Sequence, residues 1–228
     1  ETRPCGCRIL RSRRIWSFNS FIKAAYGESD SFIWNLFCCR LSDRVDFVAH
    51  LITRLVKNVN IRELGNGNPG AYNVFRNISK FWGVVAGLLD AMKALGPMLI
   101  ASHFFHLSDI ALGCLAMGAI LGHGLPVYYH FKGGRAASVL MGMYIFFIPY
   151  EFFVALAVTA IVVLGFIRKE YGVWGPTGII ALCFVLCLFF PHPTEIKIFV
   201  WIGGLIVLLF NMDKVKEKAQ SITPSAVK

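Results

Sequence analysis

The chain of 228 residues is 56% hydrophobic and only 16% charged, with a formal net charge of +10 and a mean hydropathy of +0.60. Soluble domains carry roughly a quarter of their residues as charges, so this composition excludes a soluble fold and points to a bilayer. The positive balance does not indicate nucleic acid, because the aromatic residues sit inside apolar runs rather than between basic ones, and no nucleic-acid partner is expected.

Residues 1–45 stand apart from the rest. They carry eight of the 23 Lys and Arg residues and four of the seven cysteines, and the first methionine of the chain is Met92. Two origins are expected for this segment: mistranslation through a frame error upstream of about Phe47, or a basic extension of the Arg- and Ser-rich kind that stays unfolded. Cys5-Gly6-Cys7 and Cys38-Cys39 lack the paired spacing and histidines of a zinc site, so they read as free thiols and no metal is expected. A membrane domain over residues 46–215 follows, then a cytosolic tail over 216–228.

The first span, near residues 45–58, is marginal because Asp46 and Arg54 would each cost roughly 2.5–3.5 kcal/mol at a helix centre. After it comes the loop Gly65-Asn66-Gly67-Asn68-Pro69-Gly70-Ala71-Tyr72-Asn73-Val74-Phe75-Arg76. Glycine density lets the backbone turn several N–H groups toward one point, while the Asn and Arg side chains add donors, a pattern suited to phosphate. Gly65, Gly67 and Gly70 also spell G-x-G-x-x-G, but no strand pattern precedes them, so a dinucleotide site is not supported.

Long apolar runs at roughly 81–103, 107–130, 136–150, 151–167, 178–190 and 195–211 read as membrane helices. With the marginal first span, the expected fold is an all-α integral membrane bundle of about seven helices. Asp90 and Lys93 lie three residues apart inside a span, hence on one helix face. They read either as an ion pair that orients the helix or as support for a polar site. A second polar constellation runs from Gly122-His123 through Pro126 to Lys132-Gly133-Gly134-Arg135, where paired glycines permit a tight turn and arginine can grip phosphate in a bidentate fork. Lys and Arg collect in the loops on one side of the bundle, which orients the glycine- and arginine-bearing loops toward the cytosol.

These motifs, in this order and spacing, resemble the bacterial acyl-phosphate:glycerol-3-phosphate acyltransferase family over roughly residues 46–215. The family's first motif, G-S-G-N-x-G-A-T-N-V-x-R, is matched at Gly65, Gly67, Asn68, Gly70, Ala71, Asn73, Val74 and Arg76, with Asn66 in place of its serine and Tyr72 in place of its threonine. The second, G-H-x-x-P-x-x-x-x-F-x-G-G-K-G, is matched at Gly122, His123, Pro126, Phe131, Gly133 and Gly134, with Arg135 for lysine and Ala136 for glycine. A third, serine-bearing loop has a faint counterpart over residues 170–177, where Thr177 is the nearest hydroxyl.

The resemblance implies acyl transfer from acyl-phosphate to glycerol 3-phosphate without a cofactor or a protein nucleophile. It implies catalytic roles for His123, Arg76 and Arg135. Phosphate binding falls to Asn66, Gly67, Asn68, Gly70, Asn73, Arg76, Lys132, Gly133, Gly134 and Arg135, with Asp90, Lys93 and Thr177 in support. The lipid bilayer and both substrates are the expected partners, with association with an acyl-phosphate-producing enzyme as a further expectation. Because of the replacements, a catalytically impaired relative that binds lipid or serves assembly stays open as a second class. A transporter stays open as a third.

Overall fold

The computed structural model describes residues 48–65, 67–126, 133–167 and 171–222, with backbone alone at 166–167, 171 and 213–222. The expectations for residues 1–45, for Asn66 and Lys132, and for the tail beyond 222 lie outside the described residues. Every described element is helical. Helix α1 spans Val48–Lys57, a 3-10 turn Ile61–Glu63, α2 Ala71–Asn77, α3 Lys80–Phe105, α4 Asp109–Gly124, α5 Ala137–Phe147, α6 Pro149–Val162 with a π-turn at Val163–Ile167, α7 Tyr171–Phe189 and α8 Thr194–Ile222.

Three segments are long and apolar enough to cross a membrane: Lys80–Phe105, Gly172–Phe189 and Thr194–Met212. Asp109–Gly124, Ala137–Phe147 and Pro149–Gly165 are shorter but equally apolar, so six helices answer to the six apolar runs. Their outward faces carry Leu88, Ile100, Phe153, Ile161, Phe189 and Leu205 exposed. In water such faces would drive aggregation, whereas among lipid tails they lie in their own solvent. Inside, Met98, Leu112, Ile120, Leu140, Met143, Tyr144, Ala155, Cys183, Val200 and Val207 form one core to which each of the six apolar helices contributes at least one fully buried side chain.

The helix ends depart from the sequence reading in four places, each for a local reason. The expected first span is, over its described residues, a ten-residue amphipathic helix of about 15 Å, half the hydrocarbon thickness. Ala49, Ile52 and Thr53 of α1 face inward, while Arg54 and Lys57 point out, so the cost of placing Arg54 at the centre of a span does not arise. Helix α4 stops at Gly124 rather than near residue 130, just before Pro126, whose nitrogen has no hydrogen to donate. Helix α7 begins at Tyr171, seven residues before the expected start, and so takes in the stretch read as a third loop. Helix α8 continues to Ile222, past the expected end near residue 211 and into the tail.

The break between α5 and α6 falls two residues before the expected boundary at 150–151. Ile148 leaves helical geometry (φ −136°, ψ 57°) and Pro149 opens α6 at its first position, where a missing N–H costs nothing. Because successive helices run antiparallel, the starts of α3, α5 and α7 gather at the same end of the bundle as the finishes of α4 and α8. The glycine loop sits at that end. At the opposite end Glu151 of α6 is buried and paired with His192 in the α7–α8 turn, Oε1 to Nε2 at 2.5 Å. This pair ties the turn to the start of α6.

Removing one partner of a buried pair strands the other. His192→Ala is therefore expected to lower stability by about 1–3 kcal/mol, the cost of leaving a buried acceptor unsatisfied, measured by thermal unfolding in detergent. The double variant with Glu151→Gln should lose less than the sum of the two single losses. Strict additivity would show that the two side chains do not interact.

Candidate active site

The glycine loop is shaped by two residues in the left-handed region, Gly65 (φ +57°) and Gly67 (φ +70°), where a β-carbon would be strained. It is held shut by Asn73. The Asn73 amide nitrogen, almost fully buried, donates toward the carbonyls of Leu64 (2.9 Å), Asn68 (3.0 Å) and Ile61 (3.2 Å), and its Oδ1 accepts from Asn77 Nδ2 at 2.6 Å. The sequence reading gave Asn73 to a phosphate. Its donors are instead engaged by the loop's own carbonyls, so its part is to clasp the loop.

The loop and the start of α2 form one wall of a cavity of ≈ 210 Å³ lined by Asn68, Gly70, Ala71, Tyr72, Asn73, Asp90, His123, Arg135, Ala136, Ala137, Ser138, Met141, Gly172, Pro176 and Asn211. Two motifs 50 residues apart in sequence, at about residues 70 and 120–135, thus face one space. The second motif is locked to its own helix end: Gly134 N–H donates to the His123 carbonyl at 3.0 Å. A β-carbon on Gly134 would collide with the imidazole Nε2 of His123, so the Nε2 corner of the ring abuts that turn. Ala136 then turns through left-handed geometry (φ 55°), a conformation that costs a β-carbon residue roughly 1–2 kcal/mol. This is the position at which the resembled motif has glycine.

Charge inside the cavity is arranged around Asp90. Its Oδ1 lies 2.8 Å from Lys93 Nζ and 4.0 Å from His123 Nδ1, with all three side chains largely removed from solvent. The ion pair within α3 thus stands beside the site, with Asp90 lining the cavity and Lys93 outside its lining.

Not every expected residue arrives. Arg76, in the last turn of α2, is exposed and outside the cavity lining. Thr177 lies within α7, where its hydroxyl donates to the Val173 carbonyl at 2.8 Å, and it too is outside the lining. Gly67 and Gly133 shape their turns without lining the space. The sequence reading missed Ser138, Met141, Gly172, Pro176 and Asn211. Asn211 is 3% exposed, donates to the Val207 carbonyl at 2.7 Å and leaves its buried Oδ1 without a partner. A buried polar side chain at the end of an apolar span was the signal available for it.

An all-helical membrane bundle with a polar, arginine-bearing cavity at one end is the class that fold and site define. Comparison with known proteins narrows it. The family model described as glycerol-3-phosphate acyltransferase matches residues 47–221, and the chain belongs to that family. The glycerol-3-phosphate acyltransferase of Mycoplasma capricolum is 31% identical over 159 residues, covering 66% of this chain and 59% of the relative. That of Syntrophotalea carbinolica is 40% identical over 113 residues, covering 50% of this chain and 58% of its own. The chain thus spans a little under three fifths of these relatives. Crystal structures of PlsY (YgiH), an integral membrane glycerol 3-phosphate acyltransferase, share the fold with a TM-score of 0.69 at 23% and 24% identity. They cover 83% of this chain and 92% of that one, and are described as its lysophosphatidic acid and glycerol 3-phosphate forms.

If Asn73 is the clasp, Asn73→Ala should free the loop at a cost of about 2 kcal/mol, the scale of a lost buried hydrogen-bond set. Faster amide hydrogen exchange confined to residues 64–70 is the expected signature.

Proposed function

We propose that this protein transfers a fatty acyl group from acyl-phosphate to the sn-1 hydroxyl of glycerol 3-phosphate. The products are lysophosphatidic acid and inorganic phosphate, and the step is the first acylation of phospholipid synthesis. The observation that carries this reading is the meeting of two unlike spaces at the start of α2. The polar cavity ends at Ala71 and Tyr72. From the same two residues an apolar groove of ≈ 870 Å³ runs between α3, α6 and α7, lined by Phe75, Val84, Leu156, Ala160, Val163, Leu164 and Ile179. An acyl-phosphate has the same division, with a chain for the groove and a phosphate for the cavity.

The chemistry asks little covalent help from the protein. The glycerol hydroxyl oxygen attacks the acyl carbon, the bond from that carbon to the bridging oxygen breaks, and phosphate leaves with the electron pair. The hydroxyl proton passes to His123 or to the departing phosphate. What the site must supply is proximity of two polyanions, relief of their repulsion and exclusion of water. Among the described residues Arg135 is the arginine of the lining, Asn68 and Asn211 add polar groups beside it, and Asp90 lies 4.0 Å from His123. Gly70 brings backbone to the cavity wall, while the turns at Gly67, Gly133 and Gly134 hold that wall from outside the lining. Arg76 and Lys80, exposed near the groove, meet the anionic donor as it enters.

Basic residues at the cavity end of the bundle support a cytosolic orientation in a bacterial inner membrane, the side on which both substrates are available. An acyl-phosphate-producing enzyme is a natural neighbour there.

Purified protein in detergent, given acyl-phosphate and glycerol 3-phosphate, is expected to release phosphate only when both are present, and to be inactive with acyl-CoA. Binding without release would favour the impaired relative instead. Arg135→Ala should lower turnover by about a hundredfold or more, the scale of losing one preorganised charge partner. Asn211→Ala should chiefly raise the KM for glycerol 3-phosphate, and Arg76→Ala the KM for acyl-phosphate. Unchanged kinetics in Arg135→Ala would refute the site.

A further inference from the structure

Among the described residues the two spaces share two lining residues, and Ala71 is too small to divide them. The divider is Tyr72. Its ring lies against Gly172 of α7 so closely that a β-carbon there would overlap the ring, which means the aromatic face uses the missing side chain as its seat. Gly172 lines the polar cavity, and Gly175, one turn further along α7, lines the apolar groove. The ring therefore stands at the crossing from one to the other. In the resembled motif this position is threonine, so the bulk is a property of this chain.

Resting on the acyl-transfer reading, we propose that Tyr72 is the specificity-determining residue for the carbonyl end of the acyl donor, admitting unsubstituted methylene next to the carbonyl and rejecting branching at that carbon. A chain lying in the groove with its phosphate in the cavity must pass this ring within the first carbons after the carbonyl. The position is fixed by packing on both sides: Tyr72 is anchored through α2 to α3, where Gly87 faces Ala71, and its ring is backed by α7. A wall held from two helices cannot move aside without disturbing the glycine loop that begins α2. One extra methyl group against such a wall gives discrimination of about 10- to 200-fold.

The test compares straight-chain and 2-methyl-branched acyl-phosphates of equal length with glycerol 3-phosphate, reading the ratio of their kcat/KM values. The wild-type protein is expected to prefer the straight donor by about tenfold or more. Tyr72→Phe keeps the ring and should keep the ratio. Tyr72→Thr opens the crossing and should bring the ratio close to one. Gly172→Ala pushes the ring into the passage and should raise the preference. An unchanged ratio in Tyr72→Thr, with straight-chain turnover retained, overturns the proposal and leaves the acyl-transfer reading intact. Should the wild type release no phosphate from either donor, that reading fails by itself. Calorimetric binding of straight and 2-methyl-branched alkyl phosphonates to the same variants then reads the same ratio without chemistry, and equal affinities in the wild type would overturn the role of Tyr72.

Discussion

A hydrocarbon surrounding cannot solvate a polar group, and this one constraint organises the whole molecule. Every buried polar or charged side chain on the described helices has been drawn inward. Asp90, His123, Asn73 and Asn211 gather at one end of the bundle, Glu151 at the other. The outward faces are left to Leu, Ile, Val and Phe. The segregation concentrates polar groups and charge at one small cavity, where electrostatic interactions are stronger than at a wet surface.

The cavity-end turns divide into those that contact the space and those that hold the contacts in place. Asn73 binds three loop carbonyls and thereby presents Asn68 and Gly70 to the cavity. Gly134 ties its turn to the end of α4 and seats the His123 ring, which brings Arg135 to the rim of the same space. Ala136 then carries the chain into α5 through a left-handed conformation that glycine would adopt more easily. A small amount of strain is thus retained beside the site, where the surrounding core holds Ala136 almost completely buried.

Much of this was legible in one dimension. The six apolar helices, a break near residue 150 and the importance of residues 65–76 and 122–135 all follow from hydropathy and glycine density. The start of α7 was misread because Gly172, Gly175 and Pro176 look like loop residues. In the folded protein they are helical positions without bulk that let Tyr72 and the cavity approach. Asn73 was read as a ligand because an amide in a glycine loop has the right chemistry for phosphate. Only the carbonyls around it reveal that its donors are already taken.

The sequence by itself determined the solvent, the helical class and the two motifs that carry charge, because composition and local turn chemistry depend on neighbours a few residues away. Tertiary structure alone decided which of those charges share a space. It set Arg76 outside and Arg135 inside, brought Asn211 from the far end of the chain to the cavity and stood Tyr72 between a polar chamber and an apolar groove. Those outcomes depend on how antiparallel helices register side by side, and registry is settled by packing between residues that the chain order keeps far apart.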